Sequence, residues 1–496
     1  MTLKDLKLGA RPEGRTLLTA EWVLAHDDNG PCLLRKGEVV IEGASILFTG
    51  HNFQGEVARR IDLGAALISP GLIDLDALSD LDTTILGIDH FPAWKKGRVW
   101  PLSYVERGPY EMYSPQELAF QKKFAFGQLL LNGITTAAPI ASLFYREWGE
   151  TLAEFDAAAE AAGALGLRVF LSPAYRAGGM VLHGPGDMRP HFDEERGLSG
   201  LRDAADYIAR QAGRFDGLVQ GLLAPDRVET CTANLLRETF ARAEELGVKV
   251  RLHMAQGAME VDTVKALHGT TAPQWLAREG LLSDRLIAPH ATNATEQDLQ
   301  LYAGHGVSIV HCPLVSGRGG SSLKSFSKLK EMGINIAMGT DTTPPDMLLN
   351  LLIGLITCRM NDGAPDRIAC RDLFDAATLG GAKALDRQDL GRLQAGVKAD
   401  IAIFALDDVF MSPSIDPITT LVTGGSGKVT KAVFVDGRLS MREGEVAGIN
   451  MQEARDQAQA QFDRLIAQYP ARTWDHPSVE DIFPPSYPMR EGNHAK

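Results

Sequence analysis

The sequence predicts an α/β fold: a (β/α)8 barrel of the TIM type carrying a small β-sandwich-like domain formed by both chain ends. Three observations predict it. Apolar strand-like runs alternate with helical runs through the middle of the chain, the pattern of a parallel sheet wrapped by helices. Four of these runs close on a residue of metal-ligand or acid–base type, His253, His290, His311 and Asp341, and barrel active sites sit at C-terminal strand ends. Short β-like segments precede and follow this middle, and 496 residues suffice for a barrel with an appendage.

Residues 15–18, 22–25, 38–43 and 45–50 are apolar stretches punctuated by Asp27-Asp28-Asn29-Gly30 and by glycines, as in hairpins. Eight barrel strands follow: one ending near Asp76, then 133–137, 167–171, 217–223, 248–253, 286–290, 307–311 and 334–341. Helical runs lie between several of them, such as Ala233 to Leu246. Segments 399–404 and 431–437 supply the second β group. The domain plan is 1–68 with 393–450 for the small β domain, 69–392 for the barrel, and 451–496 for a C-terminal helix and Pro-rich tail. That tail reads as a packed arm, a dimer arm or a lid. Gly424-Gly425-Ser426-Gly427-Lys428 is not a phosphate loop, because Val422 and Val429 stand where Gly and Ser or Thr are needed. It reads as a hairpin turn.

A net charge of −13 argues against nucleic acid as a main partner and against anionic membranes, and reads as a contribution to solubility. The five cysteines are scattered and form no CxxC pair, which predicts a reducing compartment. The first residues lack an apolar signal core, and no apolar run approaches a membrane span. A cytoplasmic protein is expected, and the Pro-rich tail suggests a homodimer.

Pro70-Gly71-Leu72-Ile73-Asp74, His253 after an apolar strand, His290, His311-Cys312-Pro313 and Gly339-Thr340-Asp341 occur in one order along the chain. Together they resemble the amidohydrolase superfamily, in particular its cytosine deaminase, chlorohydrolase and S-adenosylhomocysteine deaminase-like group. The likeness spans about residues 15–445 and includes 376–385 and 396–400. It implies hydrolysis of a non-peptide carbon–nitrogen bond, such as a deamination, in a small polar or heterocyclic compound. In such enzymes two histidines of the first strand, the fifth-strand histidine and the eighth-strand aspartate hold a metal. The sixth-strand histidine contacts water or substrate, and a glutamate three residues after the fifth-strand histidine shuttles protons.

Carried over, the resemblance makes His253 a ligand, His290 the substrate-facing histidine, and Asp341 a ligand or base. The first-strand histidine places hold Asp76 and Leu78, and the glutamate place holds Gln256. Leucine coordinates nothing, and an amide does not trade protons at neutral pH. Two arrangements stay open. Asp76, His253, His290 and Asp341 can form a two-histidine, two-carboxylate site for one divalent ion, zinc or iron. Without a metal, Asp76 and Asp341 can act as an acid–base pair, with His253 and His290 supplying positive charge or proton transfer, running other hydrolase, lyase or isomerase chemistry. A non-catalytic small-molecule or partner-binding homologue is the third alternative. Gln256, His311 and Trp94 are the expected substrate contacts; Trp94 lies in an aromatic and basic loop, 89–100, after the first strand. The glycine-rich stretch 178–188 is expected as a lid or an ordinary long loop. Cys312 reads as buried filler.

Overall fold

The computed structural model describes residues 1–97, 99–107, 111–141, 146 and 148–490, with the side chains of residues 91, 92 and 94–96 outside that description. Eight parallel barrel strands run through it. They are β1 (Leu72–Leu78), β2 (Ile134–Ile140), β3 (Arg168–Leu171), β4 (Val219–Gly221), β5 (Val250–Arg251), β6 (Leu286–Pro289), β7 (Ser308–His311) and β8 (Ile336–Met338). They form two four-stranded sheets, β4-β3-β2-β1 and β5-β6-β7-β8.

The two sheets meet at two seams. At one, Leu223 just beyond β4 pairs with Val250 of β5. At the other, the Asp341 amide donates to the Asp76 carbonyl at 2.7 Å. Every residue of β2 and of β5 to β8 is buried, as expected of strands covered on both faces. β1 is irregular where it matters, because its pairing with β2 shifts register twice. Such irregularities re-aim side chains.

The helices form for local reasons. Ala233–Leu246 has the span expected from sequence; Thr232 caps it by accepting the Leu235 amide at 3.1 Å, and Gly247 ends it at φ +66°. Its buried Leu235, Leu236, Thr239 and Ala243 recur at helical spacing.

The chain ends share a sheet. One seven-stranded sheet joins Trp22–Asp27, Gly30–Arg35 and Ala66–Pro70 to Ile401–Ala405, Thr430–Val435, Arg438–Arg442 and Glu445–Val446. A four-stranded sheet from Thr16–Thr19, Glu38–Glu42, Ser45–Gly50 and Arg59–Asp62 accompanies it. Leu18, Val39, Ile41 and Ile61 of the smaller sheet share one buried cluster with Val23, Ile68, Ile401 and Phe434 of the larger.

Two expectations change. Gly424–Lys428 is no hairpin turn: it links the helix Pro417–Gly424 to the strand beginning at Thr430. Asp416 caps that helix, and Pro417 opens it, a start signal that outranked the glycines. The stretch 178–188 is an ordered hairpin, Gly178–Gly184 against Asp187–Phe192, whose first strand pairs with Trp100–Pro101. The C-terminal helix Met451–Gln468 packs on Pro115–Leu131. Among the described residues no helix is long and apolar enough to cross a membrane.

Candidate active site

The four residues expected as metal ligands or acid–base groups arrive at or near the C-terminal ends of their strands. Asp76 lies in β1, His253 two residues past β5, His290 directly after β6, and Asp341 three residues past β8. His290 and Asp341 adopt φ of 76° and 46°, left-handed conformations that non-glycine residues seldom hold and that cluster at functional sites. The chain leaves these strands sharply and turns both side chains toward β1.

Asp76 is the hub. Its Oδ1 lies 3.2 Å from His253 Nε2, and its Oδ2 lies 3.7 Å from His290 Nε2. Asp341 Oδ2 stands 3.7 Å from the same His290 nitrogen. Among the described residues, donor atoms of Asp76, His253 and His290 all fall within 4.8 Å of one another. The Asp341 carboxylate sits beside this trio and is not part of it.

His253 Nδ1 faces the Asp226 carbonyl at 3.1 Å. A carbonyl can only accept, so Nδ1 donates there, and Nε2 is the ring atom that faces Asp76. Burial pushes His290 down to about 3, against the pull of Asp76, so at neutral pH its ring is uncharged. Burial alone would raise the Asp76 carboxyl; the facing His253 and His290 and the Arg251 guanidinium outweigh it and hold it well below the usual carboxylate range. Asp76 Oδ1 and both His290 nitrogens are buried without a hydrogen bond among the described residues. Orphaned polar atoms are costly in an apolar interior, and a divalent cation among these side chains would satisfy Asp76 Oδ1 and His290 Nε2, the His290 nitrogen that faces Asp76. The donor set therefore fits a metal.

Sequence reasoning missed three supporting residues. Arg251 is 1% exposed and reaches across the barrel from β5 to the Ala138 and Pro139 carbonyls of β2. It lies two residues before His253, on the same face of an extended strand, and that spacing was the available signal. Asp74 Oδ1 accepts the Asp76 and Thr340 amides at 3.1 and 3.0 Å, and its Oδ2 accepts the Thr340 hydroxyl, clamping β1 to β8. Burial, partly offset by those bonds, pushes Asp74 up to about 6. Glu260, one helical turn past Gln256, accepts the Ala255 and Gln256 amides, each at 2.6 Å. The helix at Ala258 thus supplies a carboxylate, but one tied to backbone rather than free for proton transfer.

A cavity of about 400 Å³ opens on the site, bordered by His253, Gln256, Glu260, His290 and Asp341. Its outer wall carries Ile88, Trp100, Arg176, Met180 and Met188, so loops after β1 and β3 reach over the pocket. Gln256 meets the expectation of a cavity position. His311 does not reach the cavity: its Nε2 lies 3.7 Å from Cys358 Sγ and its ring meets Phe326 edge-on, so burial among these groups replaces the expected substrate contact. The side chain of Trp94 lies outside the described residues. Leu78 packs against the apolar cluster of Ile73, Leu75 and Ala138. Cys312 is buried with its thiol 3.6 Å from Asp76 Oδ2, and burial beside that carboxylate raises the thiol strongly, leaving it inert.

Comparison with known proteins places this geometry. The amidohydrolase family pattern matches residues 67–440. The chain belongs to the amidohydrolase family. It is a hydrolase of the class that acts on carbon–nitrogen bonds. The chain is 26% identical to a 5′-deoxyadenosine deaminase of Methanopyrus kandleri, over 79% of this chain and 85% of that one. It is also 26% identical to a 5-methylthioadenosine/S-adenosylhomocysteine deaminase of Halobacterium salinarum, over 91% and 98%. Among solved structures, an adenosine deaminase of Xanthomonas campestris with bound zinc superposes with a TM-score of 0.74 at 20% identity, covering 91% of this chain and 98% of that one. An atrazine chlorohydrolase variant of Arthrobacter aurescens, complexed with zinc and atraton, gives 0.76 at 24%, covering 90% and 99%. These structural likenesses establish the shared amidohydrolase fold.

Proposed function

We propose that this amidohydrolase removes an exocyclic amino group from a nitrogen heterocycle, a purine nucleoside or a smaller ring, releasing ammonia. The observation that carries the reading is the convergence of Asp76, His253 and His290, with Asp341 beside them, on one cavity. The names of the relatives, deaminases of 5′-deoxyadenosine and 5-methylthioadenosine, support the substrate class.

Asp76, His253 and His290 would hold a divalent ion, and such an ion supplies an acidified water for attack. Zinc in the related solved structures supports that metal. Asp341, at the cavity edge beside His290, receives a proton from the attacking water. The water oxygen bonds to the ring carbon, the carbon–nitrogen bond breaks, and the proton passes to the leaving amine. Gln256 orients the ring through its amide, its loop held by Glu260 and by the Thr292 hydroxyl, which donates to the Gln256 carbonyl at 2.7 Å.

Leu78 and Gln256 favour a second reading, in which Asp76 and Asp341 perform acid–base chemistry without a metal. Ammonia release from a panel of 5′-deoxyadenosine, 5-methylthioadenosine, guanine and aminotriazines tests the first reading. Ammonia from at least one compound, lost on chelation, is expected. Turnover indifferent to chelators supports the second reading, and no ammonia from any compound with metal-replete protein contradicts the first.

A further inference from the structure

The outer wall of the cavity is tied to the far end of the chain. Trp100 and Arg176 both border the cavity. The Arg176 guanidinium lies 4.5 Å from the Trp100 ring centre. Its Nε donates to the Trp148 carbonyl at 2.8 Å, and Trp148 Nε1 donates back to the Arg176 carbonyl at 2.8 Å. Behind this pair, Trp100 meets the Tyr104 ring at 5.8 Å. Tyr104 in turn carries the Arg472 guanidinium 5.0 Å from its ring centre. Cation, ring, ring and cation thus follow one another from the C-terminal arm to the cavity.

The arm is seated for this task. Tyr469, one turn before Arg472, is 1% exposed. It presses on Gly97, where a Cβ would stand 2.7 Å from its ring. Its ring also meets Phe483 at 5.1 Å, and Phe483 meets His90 at 6.0 Å. The arm therefore grips the segment after β1 at His90, within the helix Gly87–Lys96, and at Gly97, directly after it. Arg472 itself is 2% exposed. Burying a guanidinium costs desolvation that a methionine or leucine of similar bulk would avoid. Filling space alone does not explain an arginine here; its placement over the electron-rich ring of Tyr104, with a hydrogen bond to the same side chain, gives the cation a partner.

We propose that Arg472 is a positioning residue for the substrate wall: through Tyr104 it fixes Trp100, and through Trp100 it fixes Arg176 at the cavity. The wall so held offers an aromatic edge and a guanidinium to a flat, electron-rich or anionic part of the substrate. The inference rests on the reading of this cavity as the substrate pocket.

The test uses the full chain with Arg472→Met, Arg472→Lys and Tyr104→Leu. Acrylamide quenching of tryptophan fluorescence reports the wall directly, and the same measurement in a Trp100→Phe background assigns the Trp100 share. In Arg472→Met and Tyr104→Leu, Trp100 becomes roughly twofold more quenchable and KM rises roughly fivefold, with kcat nearly unchanged. Arg472→Lys, which keeps a cation over the ring, recovers most of both. A melting temperature that falls while quenching and KM stay at wild-type values in both variants overturns the proposal, because the arm would then be structural only. If one of the two variants does not fold, the other decides. If the wild type releases no ammonia from any compound, the functional reading fails, and quenching alone still upholds or overturns the link from Arg472 to Trp100.

Discussion

The two halves of the barrel treat the site differently. From β5 to β8 the chain delivers His253, His290 and Asp341 at the strand ends, the places that the resemblance to the family implied. From β1 to β4 it delivers Asp76 and Leu78 in place of two histidines. The difference is compensated within the structure. Asp76 is drawn into the cluster by an irregular β1, held by Asp74 and Thr340, and opposed by Arg251. One half brings three polar side chains to the site; the other brings a single carboxylate and supports it with bonds that no short motif encodes.

The largest expected effect tests the half from β5 to β8. Asp341→Asn keeps shape and tolerates the left-handed backbone at this position, yet removes the proton acceptor. It should lower kcat/KM for ammonia release by roughly a thousandfold with the melting temperature little changed. A loss below tenfold would move the base elsewhere and break the comparison.

A second prediction separates function from packing inside that same half. Burial pushes His311 down to about 4. The folded state then resists a proton that the unfolded chain accepts, so this contribution to stability is complete above about pH 6.5 and is lost as pH falls toward 4. His311→Gln should remove roughly 3 kcal/mol of acid-linked destabilisation across that window, at 1.36 kcal/mol per pH unit. Urea melts at a series of pH values read it. An unchanged slope would show that His311 takes its proton in the folded protein.

The smallest effect tests the altered half. Leu78→His returns an imidazole to β1, where the family places one. Competition with a chromophoric chelator should show zinc bound roughly tenfold more tightly than by the wild type. Weaker binding would mean that Leu78 belongs to the packing under the site and that β1 cannot present a second donor.

These contrasts also mark what was legible in the sequence. The barrel could be read because its buried strands are apolar runs that end on polar residues, and His253, His290 and Asp341 stood out at those ends. The link between the chain ends was legible in the two flanking β groups. Other features needed three dimensions. His311 has the same setting in sequence as His290, but its ring turns to Cys358 and Phe326, a choice made by a neighbour 47 positions away. The clamp of Asp74 on Thr340 joins residues 266 positions apart. The C-terminal arm read as a helix and a Pro-rich tail; its grip on Tyr104 through Arg472 depends on a docking that composition does not reveal.

The account stands most directly on the metal content of the purified protein and of its His253→Ala and His290→Ala variants, measured by elemental mass spectrometry after dialysis against trace zinc. Close to one equivalent of a divalent metal in the wild type, falling to near zero in both variants while they remain folded, is the predicted result. A folded wild type that carries no metal, with ammonia release unaffected by chelators, would contradict it and leave Asp76 and Asp341 as an acid–base pair.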